Sequence, residues 1–233
     1  MEPQHQALAS RTLAHYTSLN STNPGSRLLI AVAGPPGSGK TTSTTAIARI
    51  LNTRMKQSPP LAAVISMDGF HYPRSYLDTL PNAAEAYVRR GAPWTFDAEG
   101  IVRLISRSRG VAASGKGEVM IAPTFDHALK DPIDDGLIIE PETRILIFEG
   151  NYLLVDEEPW SRIRELVDER WWVSVGAEEA RMRVARRHVA AGIERNMVDA
   201  LKRVDANDSL NGVYITEHSR DADVVIKNIE EKV

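Results

Sequence analysis

The chain is 233 residues long, 42% hydrophobic and 25% charged, proportions of a folded globular protein that exclude a disordered tail or a fibre. Twenty-eight basic against 31 acidic side chains leave a net charge of −3, which argues against a broad electrostatic hold on nucleic acid or an anionic membrane. The absence of cysteine excludes disulfides, iron–sulfur clusters and cysteine-ligated zinc within these residues, and no apolar run reaches the ~18 residues that cross a bilayer. A single domain over 1–233 in a cytoplasmic setting is the expectation.

Ala7, Leu8, Leu13 and Tyr16 recur at helical spacing until Asn23-Pro24-Gly25-Ser26 ends the pattern, so residues 1–24 read as a leading amphipathic helix. Leu28 to Ala33 is a short apolar run between turn residues, suited to a strand buried on both faces. A glycine-rich loop from Gly34 to Lys40, a helix to about Met55 and a second buried strand from Leu61 to Met67 follow, a right-handed crossover unit. Asp68 to Pro81 reads as irregular; Ala83 to Arg90 and Asp97 to Ser108 read as helices. Gly115 to Ile138 is an excursion from the sheet, Arg144 to Phe148 and Trp171 to Val175 are further strands, and Glu178 to Ala191 and Met197 to Asp205 are helices. Ala222 to Ile226 closes the order. Strands alternating with helices predict an α/β fold with a doubly wound, mostly parallel sheet.

Gly34-Pro35-Pro36-Gly37-Ser38-Gly39-Lys40-Thr41 matches G-x-x-x-x-G-K-[ST] between a strand and a helix start, where the motif's chemistry needs it. Its glycines let backbone amides turn inward around phosphate oxygens, and the helix start adds its dipole. Gly34, Pro35, Pro36, Gly37, Ser38, Gly39, Lys40, Thr41 and Thr42 are therefore expected to hold the phosphates of ATP, with Lys40 at the β- and γ-phosphates and Thr41 on Mg²⁺. Asp68 and Glu149 each follow an apolar strand, at the sheet edge where open α/β folds bind ligands. In phosphoryl transfer to a hydroxyl, one carboxylate accepts the proton and another orients the metal. Asp68 suits the base and Glu149 the metal shell, although spacing alone does not order them, and each has the plainer reading of a turn residue.

Four segments in order, Gly34 to Thr41, Ser66-Met67-Asp68-Gly69-Phe70-His71-Tyr72-Pro73, Arg89 to Asp97, and Phe148-Glu149-Gly150-Asn151-Tyr152-Leu153-Leu154, resemble the phosphoribulokinase/uridine kinase family, which includes bacterial-type pantothenate kinases. The resemblance spans Leu28 to Ile226 and implies the P-loop NTPase architecture, a helical lid, and phosphorylation of a small molecule's hydroxyl by ATP with Mg²⁺. It implies Asp68 as the catalytic aspartate and Glu149 as the acidic residue near the metal. The segment after Asp68, with His71 and Tyr72, and Arg89-Arg90-Gly91-Ala92-Pro93 resemble the pantothenate-kinase and nucleoside-kinase-like branches, so Asp68, His71, Tyr72, Arg90, Asp97 and His127 are candidate acceptor contacts. Asp97 is equally a helix cap. The uridine kinase base-recognition pattern is not evident, which counts against a pyrimidine nucleoside.

The family's lid falls at 177–196. There Arg183, Arg186 and Arg187 share one helical face, placed to supply guanidinium groups to the phosphates: Arg183 toward ATP, Arg186 and Arg187 toward the transferring group. A solvated basic face is the plainer alternative. Asn207 to Asn211 suits either the adenine's surroundings or an ordinary turn. Against the kinase stand two other readings: a nucleotide-hydrolysing switch, for which no N-K-x-D element is present, and a regulator that binds ATP without turning it over, for which a proton acceptor at Asp68 would have no use. The expected partner is the small hydroxyl acceptor, with neither nucleic acid nor membrane, and the resemblance leaves room for a homo-oligomer.

Overall fold

The computed structural model describes residues 1–110 and 118–228; of the excursion expected from Gly115, the residues through Gly117 lie outside them. Strand β1 (Leu28–Ala33) is the centre of a five-stranded sheet. Beside it run β5 (Ile145–Gly150) and β6 (Glu169–Ser174), with β2 (Ala62–Ser66) outside β5 and β7 (Val224–Lys227) outside β6. Every pairing is parallel. The sheet itself is therefore wholly parallel, and the antiparallel component is a separate hairpin of β3 (Met120–Asp126) and β4 (Asp131–Ile139).

The apolar run of β1 works because both its faces are covered. Leu28, Ile30 and Val32 pack with Leu8 of α1 (Glu2–Thr22) and with Ile47 and Leu51 of α2 (Lys40–Met55). Leu29, Ala31 and Ala33 pack on the other face with Ile101 and Ile105 of α5 (Ala98–Gly110) and with Phe96, Tyr152 and Trp160. Helix α1 is tied to the sheet by Glu169, only 4% exposed, which receives Arg11 at 3.1 Å, His15 at 2.6 Å and the indole N–H of Trp171 at 2.7 Å.

The stretch expected to be irregular after β2 contains a tight turn over Met67–Phe70 and the short helix α3 (Arg74–Leu77), before α4 (Ala83–Val88). After β5 comes the single-turn α6 (Ile163–Leu166). Beyond β6, α7 (Ala177–Ala190) and α8 (Met197–Arg203) lead through a π-helical turn (Val204–Asp208) into α9 (Ser209–His218). Helix α9 is absent from the sequence reading, which takes the turn-forming Asn207-Asp208-Ser209 at face value. Tertiary contacts override that local preference: Asn211 is buried and accepts from Arg89 at 3.2 Å, while Arg89 also donates to the Ala206 carbonyl at 3.2 Å. Val184, Ala185, Ala200 and Val204 form a small core of their own under α7 and α8. Among the described residues no helix is long and apolar enough to cross a membrane.

Candidate active site

All five parallel strands end at one edge, so the loops after β1 and β2 and the end of β5 meet there. The loop Gly34 to Gly39 joins β1 to α2, with Gly37 at φ 80° and Gly39 at φ 83°, a region costly for any residue with a β-carbon. Gly37 also admits the lid: a β-carbon there would stand 2.5 Å from the Ala180 carbonyl oxygen of α7. Helix α2 begins at Lys40 with no side-chain cap and no acidic residue in its first turn, so the free amides of Lys40, Thr41 and Thr42 and the positive end of the dipole are left for an anion.

Lys40 lies where charges from three other segments converge. Burial lowers its ammonium below the ordinary lysine range; Glu149 and Asp68 oppose that shift and Arg187 adds to it. Glu149 stands inside β5 rather than after it, 3% exposed and opposite Ser66 in the β2 register. The Thr41 hydroxyl donates to its Oε1 at 3.2 Å. Burial raises the Glu149 carboxyl above the usual carboxylate range, against the pull of Lys40. Asp68 sits in the turn after β2, where its backbone N–H is accepted by the Ser66 hydroxyl at 3.3 Å. Thr41 and Glu149 thus pair two oxygen donors beside Asp68 and Lys40.

The lid arginines divide. Arg183 pairs with Glu179 and reaches the Gly37 carbonyl at 3.4 Å, which puts it on the phosphate loop. Arg187 acts electrostatically on Lys40. Arg186 is exposed. Arg181, on the same helix, is committed to Asp205 through bonds of 2.6 and 2.8 Å and anchors α7 to the π-helical turn. Between the loop and these helices lies a cleft of about 400 Å³, walled by Pro35, Pro36, Val175, Val184 and Val213 with Asp208 at its side. Asn207 to Asn211 therefore borders this cleft through Asp208 and Ser209, whereas the wall from α9 had no readable signal in the sequence.

The acceptor candidates form a second group. His71 donates from Nδ1 to the Asp68 carbonyl at 2.8 Å, which leaves Nε2 as the acceptor of a neutral ring. Burial lowers its pKa, and its ring packs on Phe96 and Phe125 at centroid distances of 4.0 and 4.9 Å. His127 is exposed on the hairpin turn, its ring 5.4 Å from Phe125. The Arg90 guanidinium is a brace: it donates to the Lys130 carbonyl, the Tyr72 carbonyl and Asp131 at 2.5, 2.9 and 3.0 Å, pinning the hairpin to the loop after Asp68. Asp97 caps α5, accepting from Gly100 N–H at 2.8 Å and from Arg103 at 3.3 Å. Tyr72 opens instead on a separate cleft of about 320 Å³ with Trp94, Phe96 and Trp160.

Comparison with known proteins agrees with this architecture. The family model described as "Phosphoribulokinase / Uridine kinase family" matches residues 29–233. A fission yeast (Schizosaccharomyces pombe) protein named "Putative uridine kinase C227.14" is 38% identical over 206 residues, 88% of this chain and 85% of that protein. A crystal structure from Silicibacter sp. TM1040, named a "putative fructose transport system kinase", superposes with a TM-score of 0.79 at 32% identity, over 94% of this chain and 98% of the other. The fold is shared with YFH7 of Saccharomyces cerevisiae, TM-score 0.82 at 22% identity, over 97% and 99% of the two chains. With its phosphate loop between the first sheet strand and α2, and a match running from that strand to the end of the chain, the protein belongs to the phosphoribulokinase/uridine kinase family of P-loop kinases.

Proposed function

We propose that the protein transfers the γ-phosphoryl group of ATP to a hydroxyl of a small metabolite of the nucleoside, pantothenate or sugar kind. One observation carries the reading: at the carboxyl edge of the sheet the Thr41 hydroxyl donates to the buried Glu149 at 3.2 Å, and Glu149, Asp68 and Arg187, from three other segments, all act on the neighbouring Lys40. A protein that only bound nucleotide would have no use for the Asp68 carboxylate beside the phosphate loop. The fission yeast relative is named a "Putative uridine kinase" and the bacterial one a "putative fructose transport system kinase", and uridine and fructose are both polyhydroxylated.

In this reading the amides of Gly39 to Thr42 and the Lys40 ammonium hold the β- and γ-phosphates, and the apolar cleft beside Pro35 and Pro36 takes the base. The acceptor oxygen attacks the γ-phosphorus as the bond to the β,γ-bridging oxygen breaks; ADP leaves, and the hydroxyl proton passes to the Asp68 carboxylate. Arg183 and Arg187, with Arg186 beside them, supply positive charge from the lid and exclude water from the reacting group. The acceptor lies against His71, whose Nε2 accepts a second hydroxyl, with the exposed His127 as a further contact, while Arg90 and Asp97 serve as brace and helix cap. Thr41 and Glu149 would hold Mg²⁺: among the described residues no three His, Asp or Glu side chains cluster as a protein-only cage, and a sparse oxygen set suits an ion that keeps several waters. An Mg²⁺ held there would supply positive charge against the negative charge of the phosphate oxygens.

The test is ATP consumption with Mg²⁺ against nucleosides, pantothenate, sugars and glycerate. One acceptor is expected to raise turnover in the wild type and not in Asp68→Asn. ATP hydrolysis indifferent to every acceptor would overturn the kinase in favour of a nucleotide-driven switch.

A further inference from the structure

The phosphate loop is held from outside by a residue at the far end of the chain. Strand β7 lies two strands away from β1, across β6. One residue past it, Asn228 continues the ladder by donating its backbone N–H to the Ser174 carbonyl at 3.0 Å. Its side chain then crosses the end of β6, and Nδ2 donates to the Ser38 carbonyl at 2.5 Å. The fit is tight: a β-carbon on Gly39 would stand 2.1 Å from that Nδ2. Gly39 is glycine for its φ of 83°, and the absence of a β-carbon there lets the Asn228 amide pack against its α-carbon.

A peptide bond is planar and trans, so its C=O and N–H point in opposite directions. The Ser38 carbonyl and the Gly39 N–H belong to the same peptide. Fixing that carbonyl outward on Asn228 therefore aims the Gly39 N–H inward, toward the space enclosed by the loop, where a phosphate oxygen would be met. Ser38 is fully buried, so a carbonyl released from Asn228 would rotate to find another partner and carry the N–H with it.

We propose that Asn228 is a positioning residue for the nucleotide phosphates, acting through the Ser38–Gly39 peptide. The proposal rests on the nucleotide-binding half of the function above and is independent of the acceptor. The experiment is calorimetric titration of wild type, Asn228→Asp and Asn228→Ala with ATP and with AMP in the presence of Mg²⁺, alongside the melting temperature of each protein without ligand. Asp keeps the shape, loses the donor and adds a negative charge, so Asn228→Ala is the variant that reads the lost hydrogen bond alone. The expected result is ATP affinity weakened about tenfold in Asn228→Asp and about three- to tenfold in Asn228→Ala, the range of one hydrogen bond, with AMP affinity unchanged and KM for ATP rising while KM for the acceptor stays. Should either variant melt early, the ratio of ATP to AMP affinity, measured well below its melting point, still reads the loop alone. An unchanged ratio in both variants would overturn the proposal and leave Asn228 a brace for β7. Failure of the wild type to bind ATP would overturn the nucleotide reading itself.

Discussion

In the proposed transfer Lys40 and Asp68 serve different parts, so substitution separates them. Lys40→Ala removes a buried positive charge from the β,γ-phosphate position and strands Glu149 without its main counter-charge. Turnover is expected to fall about 10²–10³-fold with weaker ATP binding, read from initial rates and titration together. Asp68→Asn is nearly isosteric and should leave ATP affinity within about threefold while the transfer rate falls on the order of 10²–10⁴-fold, the usual size of a general-base contribution; single-turnover kinetics with saturating ATP would check it, and a normal rate would return Asp68 to a turn residue. Both residues were legible in the sequence, since each stands within a few positions of a strand end that could be recognised by its apolar run. Arg90 was not legible in the same way. Its type suits an acceptor contact, yet its guanidinium is occupied by Lys130, Tyr72 and Asp131, partners some 40 residues off or on another loop.

At the level of elements, one buried carboxylate joins α1 to β6. Burial works to raise the Glu169 carboxyl, but hydrogen bonds from Trp171, His15 and Arg11 outweigh it and hold the group below the ordinary range. Arg11 and His15 are themselves 51% and 36% exposed, so losing the charge strands neither of them in a dry interior. Glu169→Gln, which still offers an oxygen to the indole, is expected to cost about 1 kcal/mol. Glu169→Ala also orphans the buried Trp171 N–H and should cost roughly 2–4 kcal/mol. Urea unfolding of the two variants checks the difference; equal losses would mean that the indole contact contributes nothing. The helical character of α1 was readable from spacing, whereas its attachment to a residue more than 150 positions away was not.

Across the whole molecule, three histidines are held below the ordinary imidazole range, chiefly by burial: His5 between α1 and α2, His71 beside Asp68, and His188 on α7. Each is neutral in the fold but takes up a proton in the unfolded chain below about pH 6.5. Their contribution to stability is therefore complete above that pH and is lost as pH falls through their depressed folded values. Calorimetric melting is expected to be flat from pH 8 to about 7 and to drop progressively below about 6.5. His188→Gln should soften the drop by removing one buried ring that resists protonation, an effect that Asp208, at 3.8 Å, only partly offsets. A melting temperature level down to pH 5 would show that these rings accept protons without leaving their sites.

By itself the sequence determined the α/β class, the phosphate loop, the strand ends that carry Asp68 and Glu149, and the helical stretch of α7, because each is written in consecutive residues: apolar runs, glycines at fixed spacing, and helix-forming residues without a breaker. Tertiary structure alone decided the rest. The wholly parallel sheet, the continuation of α8 through a π-helical turn into α9, the cleft shared by Pro35, Val184 and Val213, and the hold of Asn228 on Ser38 all join residues from distant parts of the chain. Such contacts arise from packing and from the need to satisfy buried polar groups, which local patterns do not encode.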